Sequence, residues 1–550
     1  MTIREAAGQA ALAILLAFLG SEAGGHFFPL EALLAGLGLI LVHRCLPEAE
    51  SRPRLPFFLP ALAGFALICR WPHPATRLAL LALVWSAGAL TLPRNDRRRE
   101  RLEAAAAVTL LVCLFRVAGE ISAWFRLGYE EGVLVLTEGI GRVAGTSFRG
   151  GPAAAGAGLL VPFLALAAVE AGRRTGGRRL GRWIPAGALL LTWSATLAVL
   201  PRLQPAAWSS VLTLPHGERD PAADWFRIAP PLFLLALGLC WILFAPRLGS
   251  PTRGAGRPAL PFCAAVLIAA LLLLPAWSRT GNGPSGTRVL ILGSEILDFR
   301  TPETGIHPLR QAGMFGLLPQ FLEGLGYRVK VRDDLPPEGV GTAASVLVVI
   351  NPVRDPDPER IRSIRDFVRR GGALLVLGDH TDIFGTQGPL NRWCDPFGIR
   401  FRFDSARPAS RGWEWSLETV PHPTTAGLDA SNLRFRVGTG ASLETRPPAR
   451  ALVLARYGFS DAGDRSNSGR GGFLGDYRWT GAERIGNIPL MAERRFGSGK
   501  VVALGDTSMF QNVALPFSLR FVSGLFRWLD PLAPAPGPAR WREEIAAILV

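Results

Sequence analysis

Four polar stretches in the second half of this chain follow directly on apolar, β-branched runs. Glu295 comes after Arg288-Val-Leu-Ile-Leu, and Asn351 after the run ending at Ile350. Asp379-His380-Thr381-Asp382 comes after Ala373–Leu377, Asp506-Thr507 after Lys500–Leu504, and Asn391 follows a little downstream of the third stretch. If the runs are parallel strands, these side chains gather at one edge of a sheet, where open α/β sheets hold their ligands. Several carboxylates and an imidazole brought together there could bind a metal, a sugar or the free amides of neighbouring helix N-termini. The competing reading is local: Asp after Gly commonly caps loops and helices, as Asp379 and Asp506 would. No cofactor is expected, and the identity of any metal is unknown.

The elements needed to position these residues are legible in outline. The strand runs are apolar on both faces, as a buried parallel sheet requires. Between them, Asp357-Pro-Glu opens a helix with an N-cap and a proline at its first position, and Gly371-Gly372 closes it. A helix is also expected around 310–325, broken or kinked at Pro319, and a last amphipathic one around 517–529. Strands alternating with helices point to a flavodoxin-like α/β domain, doubly wound on a mainly parallel sheet, over 287–530. A linker at 279–286 precedes it, and a tail at 531–550 follows. Segment 458–477 reads as a polar, glycine-rich surface loop.

Residues 1–278 read as an all-α polytopic membrane domain of about nine spans, at 5–21, 27–42, 55–71, 76–92, 103–124, 155–171, 183–201, 228–245 and 259–277, with the bilayer as partner. Within the fifth, Arg116 and Glu120 lie one helical turn apart. Such a pair is either a functional group in the membrane or an ion pair stitching helices together. Alternate loops carry 16 arginines against 8, which places the richer set in the cytoplasm and residues 287–530 outside a bacterial inner membrane. The formal charge of +16 is therefore read as topology and Arg-rich composition, since only Lys330 and Lys500 are lysines. Nucleic acid is not an expected partner. Cys394 is alone among the six cysteines in falling after the spans, so no disulfide is expected there.

The order Gly371-Gly-Ala-Leu-Leu-Val-Leu-Gly-Asp-His, Leu390-Asn391, Phe397-Gly-Ile-Arg-Phe, His422-Pro-Thr-Thr-Ala-Gly-Leu and Phe496-Gly-Ser-Gly-Lys-Val-Val-Ala-Leu-Gly-Asp-Thr resembles the class I glutamine amidotransferase-like superfamily. Its closest branch is that of non-amidotransferase domains, found in gliding-motility transporter accessory proteins and bacterial membrane proteins. The family places a nucleophilic cysteine on the turn after a strand, and here that turn reads Gly378-Asp379-His380. The resemblance implies a pseudoenzyme that binds a ligand, or an envelope or transporter partner, in envelope or exopolysaccharide assembly or export. The alternative is an extracytoplasmic hydrolase of a glycan or peptide using Asp379, His380 and Asp506, with or without a divalent metal. Reporter fusions after Ser285 check the topology: a periplasm-active reporter should be active and a cytoplasm-active one silent.

Overall fold

In a computed structural model the chain divides into two compact units, Met1–Glu120 with Gly132–Trp277, and Ile121–Glu131 with Ser278–Val550. The structure describes part of 9–16, 74–90, most of 97–172 and most of 286–532. Within the last stretch, 294–295, 302–312, 409–412, 426–439 and most of 464–481 lie outside the description.

Up to residue 172 the described elements are helices α1 (Pro74–Leu90), α2 (Arg97–Ile121), α3 (Ala123–Val143) and α4 (Ala157–Gly172), with a two-residue strand at Arg149–Gly150. Leu78, Val108, Cys113 and Phe163 share one apolar cluster. Among the described residues only Arg99–Glu120, within α2, is both long and apolar enough to cross a bilayer. The apolar cores of α1 and α4 are the shorter Arg77–Ala87 and Leu160–Val169. The expected all-α polytopic domain is thus not evident. A crossing takes about 20 apolar residues, which these two cores do not reach. The expected spans 27–42, 55–71, 183–201, 228–245 and 259–277 lie outside the described residues, as does most of 5–21. Arg116 and Glu120 both lie on α2, each partly buried. Much of 126–154, expected as an outer loop, is α3.

The second unit is built on a sheet of eight strands. In chain order its elements are β1 (Arg288–Leu292), α5 (Leu317–Gly324), β2 (Arg328–Arg332), α6 (Val340–Ala343), β3 (Val346–Ile350), α7 (Pro358–Arg369), β4 (Ala373–Leu377) and α8 (Gln387–Cys394). Then come β5 (Ile399–Phe401), β6 (Asp404–Pro408), β7 (Leu417–Thr419), β8 (Leu443–Thr445), β9 (Arg450–Ala455), β10 (Gly458–Ala462), β11 (Arg484–Ile485), β12 (Ile488–Phe496), β13 (Gly499–Leu504) and α9 (Leu515–Leu529). Strands run in the order β2-β1-β3-β4-β13-β12-β9-β7 across the main sheet. The pairings from β2 to β13 are parallel, and those from β13 to β7 antiparallel. A mainly parallel, flavodoxin-like sheet is therefore corrected to a mixed one. The reason lies at Phe496-Gly497-Ser498-Gly499, where a tight turn with Gly497 at φ +60° joins β12 to β13. Parallel neighbours need a long crossover; a two-residue turn can only return the chain antiparallel. β6, β10 and β11 belong to a second, antiparallel sheet, so the stretch expected as loop from 458 begins as a strand.

Both faces of the inner parallel strands β3 and β4 are apolar because both are covered, whereas β2, at the edge, is charged and mostly exposed. Val346, Val348 and Ile350 of β3 face α5 and α9, packing with Leu318, Leu322, Phe521 and Leu525. The alternate residues Leu347 and Val349 pack with Ile364, Phe367 and Val368 of α7 and with Leu390 and Trp393 of α8. Pro319 does not break a helix. It sits in the first turn of α5, where its missing N–H leaves no bond unmade. Asp357 caps α7, its Oδ1 accepting from the Arg360 amide at 2.7 Å.

β13 fits between β4 and β12 only because Gly499 has no side chain: a Cβ there would collide with the carbonyls of Val368 and Gly372. Gly499→Ala is expected to cost about 3 kcal/mol by overpacking, read as a lowered melting temperature with unchanged helix content.

Candidate functional site at the carboxyl edge

The carboxyl ends of β1, β3, β4 and β13 lie along one edge, and the polar residues divide there into two groups. On the β13 side the groups are spent within the fold. Asp506 Oδ1 accepts from the Ser508 amide (2.7 Å), and Thr507 Oγ1 accepts from Gln511 Nε2 (3.0 Å). Gln511 and Asn512, which sequence reasoning missed, then hold the opposite loop: Gln511 Oε1 accepts from the Gly313 amide and Asn512 Oδ1 from the Leu317 amide, both at 2.8 Å. Segment 440–442 lies over the end of β13, with the Ala441 amide donating to Gly505 O at 2.7 Å. Asn391 is also occupied, clamping the backbone of Phe401: its Nδ2 donates to Phe401 O (3.0 Å) and its Oδ1 accepts from Phe401 N (2.7 Å).

The β3–β4 side is different. Ile350 is paired with Leu377, and the Asn351 amide donates to Leu377 O at 3.0 Å, which sets Asn351 beside Gly378 and Asp379. Asn351 is 6% exposed, and its Oδ1 has no hydrogen-bond partner among the described residues. His380, 9% exposed, has neither imidazole nitrogen in an aligned hydrogen bond, and the fully buried Thr386 hydroxyl is likewise unpartnered. Asp379 Oδ1 accepts the His380 main-chain N–H (2.7 Å) and lies 2.5 Å from His380 Nδ1. Asp382 Oδ1 accepts from the Gln387 amide at 2.8 Å and pins the loop to the start of α8. Glu295 falls outside the described residues. The chain passes from β1 outward to β2 and then back to β3 on the other side of β1, so Asn351 stands at the point where strand order reverses, a recurrent ligand position.

Backbone strain is concentrated at the same place. Asn351 (φ +39°), Asp382 (φ +42°) and Phe384 (φ +55°) occupy the left-handed region. For a residue as bulky as Phe this conformation costs on the order of 1 kcal/mol or more, and such strain collects at functional sites. Phe384 is 71% exposed, so no packing compensates for it.

Cys394 is fully buried in the cluster of Trp393, Leu390 and Phe401, and burial raises its thiol pKa well above the ordinary value. It is a core residue with no thiolate to offer.

A second polar cluster, not foreseen from the sequence, lies near the opposite edge. His422 Nε2 is 3.0 Å from Glu493 Oε2, and Glu493 Oε1 accepts from Arg450 Nε at 2.7 Å. His422 Nδ1 accepts from the Thr424 amide at 3.2 Å, and the ring meets Trp528 edge-on at 4.5 Å. Burial lowers the pKa of His422 and outweighs the pull of Glu493. Burial alone would raise Glu493, but His422 and Arg450 overcome it and hold the carboxyl far below its usual range. The resting state is a neutral imidazole donating Nε2–H to an ionised Glu493. The only signals in sequence were a His-Pro-Thr-Thr turn and a Glu-Arg-Arg that closes a short apolar run.

With this geometry in view, comparisons with known proteins give a family whose function is undescribed. Residues 316–516 match a family described as Domain of unknown function (DUF4350). No curated protein matches the chain. The chain is similar to the mmIFT52 N-terminal domain, at 14% identity and a TM-score of 0.30 over 44% of this chain and 97% of that one. Cytoplasmic Protein STM1381 from Salmonella typhimurium LT2 is similar at 12% identity and a TM-score of 0.28, over 44% and 99%. A beta-galactosidase from Rahnella sp. R3 is similar at 12% and 0.24, over 52% and 38%. None of these is an amidotransferase, and the resemblance to that superfamily is withdrawn. The residues that carried it have local structural reasons: Gly371-Gly372 ends α7 against Phe367, Phe496-Gly-Ser-Gly is a hairpin turn, and His422 is locked to Glu493.

Acid should destabilise this unit in two stages. Below pH 6.5, the ordinary value for His422, the unfolded chain takes up a proton that the folded one refuses, so stability falls as pH falls. Below 4.5, the ordinary value for Glu493, stability is lost further as pH drops toward the depressed folded value. His422→Gln should flatten melting temperature against pH between 6.5 and 5 and weaken, without abolishing, the fall below 4.5, since Arg450 still holds Glu493.

Proposed function

We propose that the 287–530 domain is a binding module whose ligand sits at the β3–β4 carboxyl edge, against Asn351, Asp379 and His380. The observation that carries this reading is the pair of buried polar atoms left without partners at adjoining strand ends, Asn351 Oδ1 and His380 Nε2. Each such atom costs a fold about 1–3 kcal/mol, and two beside a topological switch point are what a site awaiting polar contacts looks like. The alternative reading as a hydrolase draws only on the short Asp379–His380 contact. Placement outside the membrane is proposed on the arginines either side of the candidate crossing Arg99–Glu120, five in 94–101 against three in 126–154. The envelope role came with the amidotransferase resemblance and is not carried forward.

A binding site and a capping role predict opposite changes in stability. In full-length protein in mild detergent, Asn351→Gly and His380→Leu should melt at or a few degrees above wild type, because each removes an unpaired group, and the first also relieves a positive φ. A clear fall in both would show that these side chains hold the fold and would overturn the binding reading. Turnover of a model glycan or peptide that disappears in His380→Leu would favour the hydrolase.

A further inference from the structure

We infer that the ligand of this edge is a neutral saccharide, stacked on Phe384 and hydrogen-bonded through its hydroxyls to Asn351, Asp379 and His380. The inference rests on the binding reading above and names its ligand class.

Three observations support it. The first is the polarity of the groups left open. Asn351 Oδ1 can only accept, and the Asp379 carboxylate, 23% exposed, accepts as well, so the ligand must bring donors. Carboxylates at 379 and 382 disfavour an anion such as phosphate. The second is His380 Nε2, which accepts when Nδ1–H faces Asp379 and donates in the other tautomer. An amine, which only donates, would serve one of these states, whereas a hydroxyl serves both.

The third is Phe384. It stands in the same loop, four residues after His380, in a turn closed by the Gly385 amide on Asp382 O at 2.9 Å. Its ring is 71% exposed on a backbone that favours glycine. A glycine there would remove both the strain and the exposed apolar surface, so the aromatic is retained at a cost to the fold. An aromatic face at the rim of a hydroxyl-seeking pocket supplies the flat apolar platform on which the C–H face of a pyranose rests.

The test uses the full chain in mild detergent and a panel of neutral oligosaccharides of glucose, mannose, galactose and N-acetylglucosamine. Oligogalacturonate, glutamine, putrescine and inorganic phosphate serve as non-conforming probes. Binding is read by calorimetry and by saturation-transfer NMR. At least one neutral oligosaccharide should bind, with oligogalacturonate of equal length at least tenfold weaker. Phe384→Gly should weaken that binding tenfold or more while leaving the melting temperature unchanged or raised, and His380→Leu should abolish it. Failure of every neutral oligosaccharide to bind, or undiminished binding to Phe384→Gly, overturns the saccharide assignment. If glutamine, putrescine or phosphate binds instead, and binding is lost in His380→Leu, the binding module stands and only its ligand class falls. If nothing binds in a His380-dependent way, both readings fall together.

Discussion

The pairing of β13 with β4 is the constraint on which the rest of the domain depends. The two strands are far apart in sequence, yet Lys500 to Leu504 lie in register against Ala373 to Leu377. This contact closes the parallel half of the sheet and, through β12, begins the antiparallel half. It also brings the polar turn after β4 and the polar turn after β13 to the same edge. Glycine at 499 and 372 lets the strands and α7 approach closely enough for the two halves to share one core. The entropy of closing so long a loop is recovered by burying apolar surface on both faces of every central strand.

That closure produces an edge of uneven character. Near β13, the fold uses Asp506, Thr507, Gln511 and Asn512 to knit loops together, so carboxylate and amide there are structural. Near β3 and β4 the carboxylates of Asp379 and Asp382 also bond the loop, but Asn351 Oδ1, His380 Nε2 and the Thr386 hydroxyl are buried without being used. Two neighbouring strand ends thus serve different purposes, and what separates them is hydrogen bonding rather than residue type. The His422–Glu493–Arg450 cluster completes the contrast. It is as buried as the candidate site, but its members satisfy one another, so it stabilises one charge state and offers nothing to a ligand.

Much of the parallel half was legible because its signal is local: five-residue apolar runs, a capped helix and glycine punctuation. The antiparallel half was not. Ile488–Phe496 ends in Glu493-Arg-Arg and so lacks an unbroken apolar run, and Arg450–Ala455 gives no alternation to mark a face. Their partners are what make them strands. Hydropathy also overreached in the first half, where apolar runs such as 77–87 and 160–169 form helices too short to cross a bilayer. Asp379, His380 and Asn351 were picked out by position after a strand. Thr386 and Phe384 were not, since only the folded backbone shows that one hydroxyl is sealed in and one ring held out. Asn391 looked like a ligand group in sequence because nothing local reveals that its amide is engaged with the backbone of Phe401.

One buried contact joins the two ends of the 287–530 domain. Thr287, immediately before β1, donates its hydroxyl to Asp530, immediately after α9, at 2.6 Å within the protein interior. The chain therefore comes into the domain and goes out of it at one point, with the whole mixed sheet looped between. A module joined in this way can be lengthened, shortened or re-spliced in its flanking segments without any strand changing register. Tension drawn through those segments would fall first on a single side-chain bond, not on the sheet.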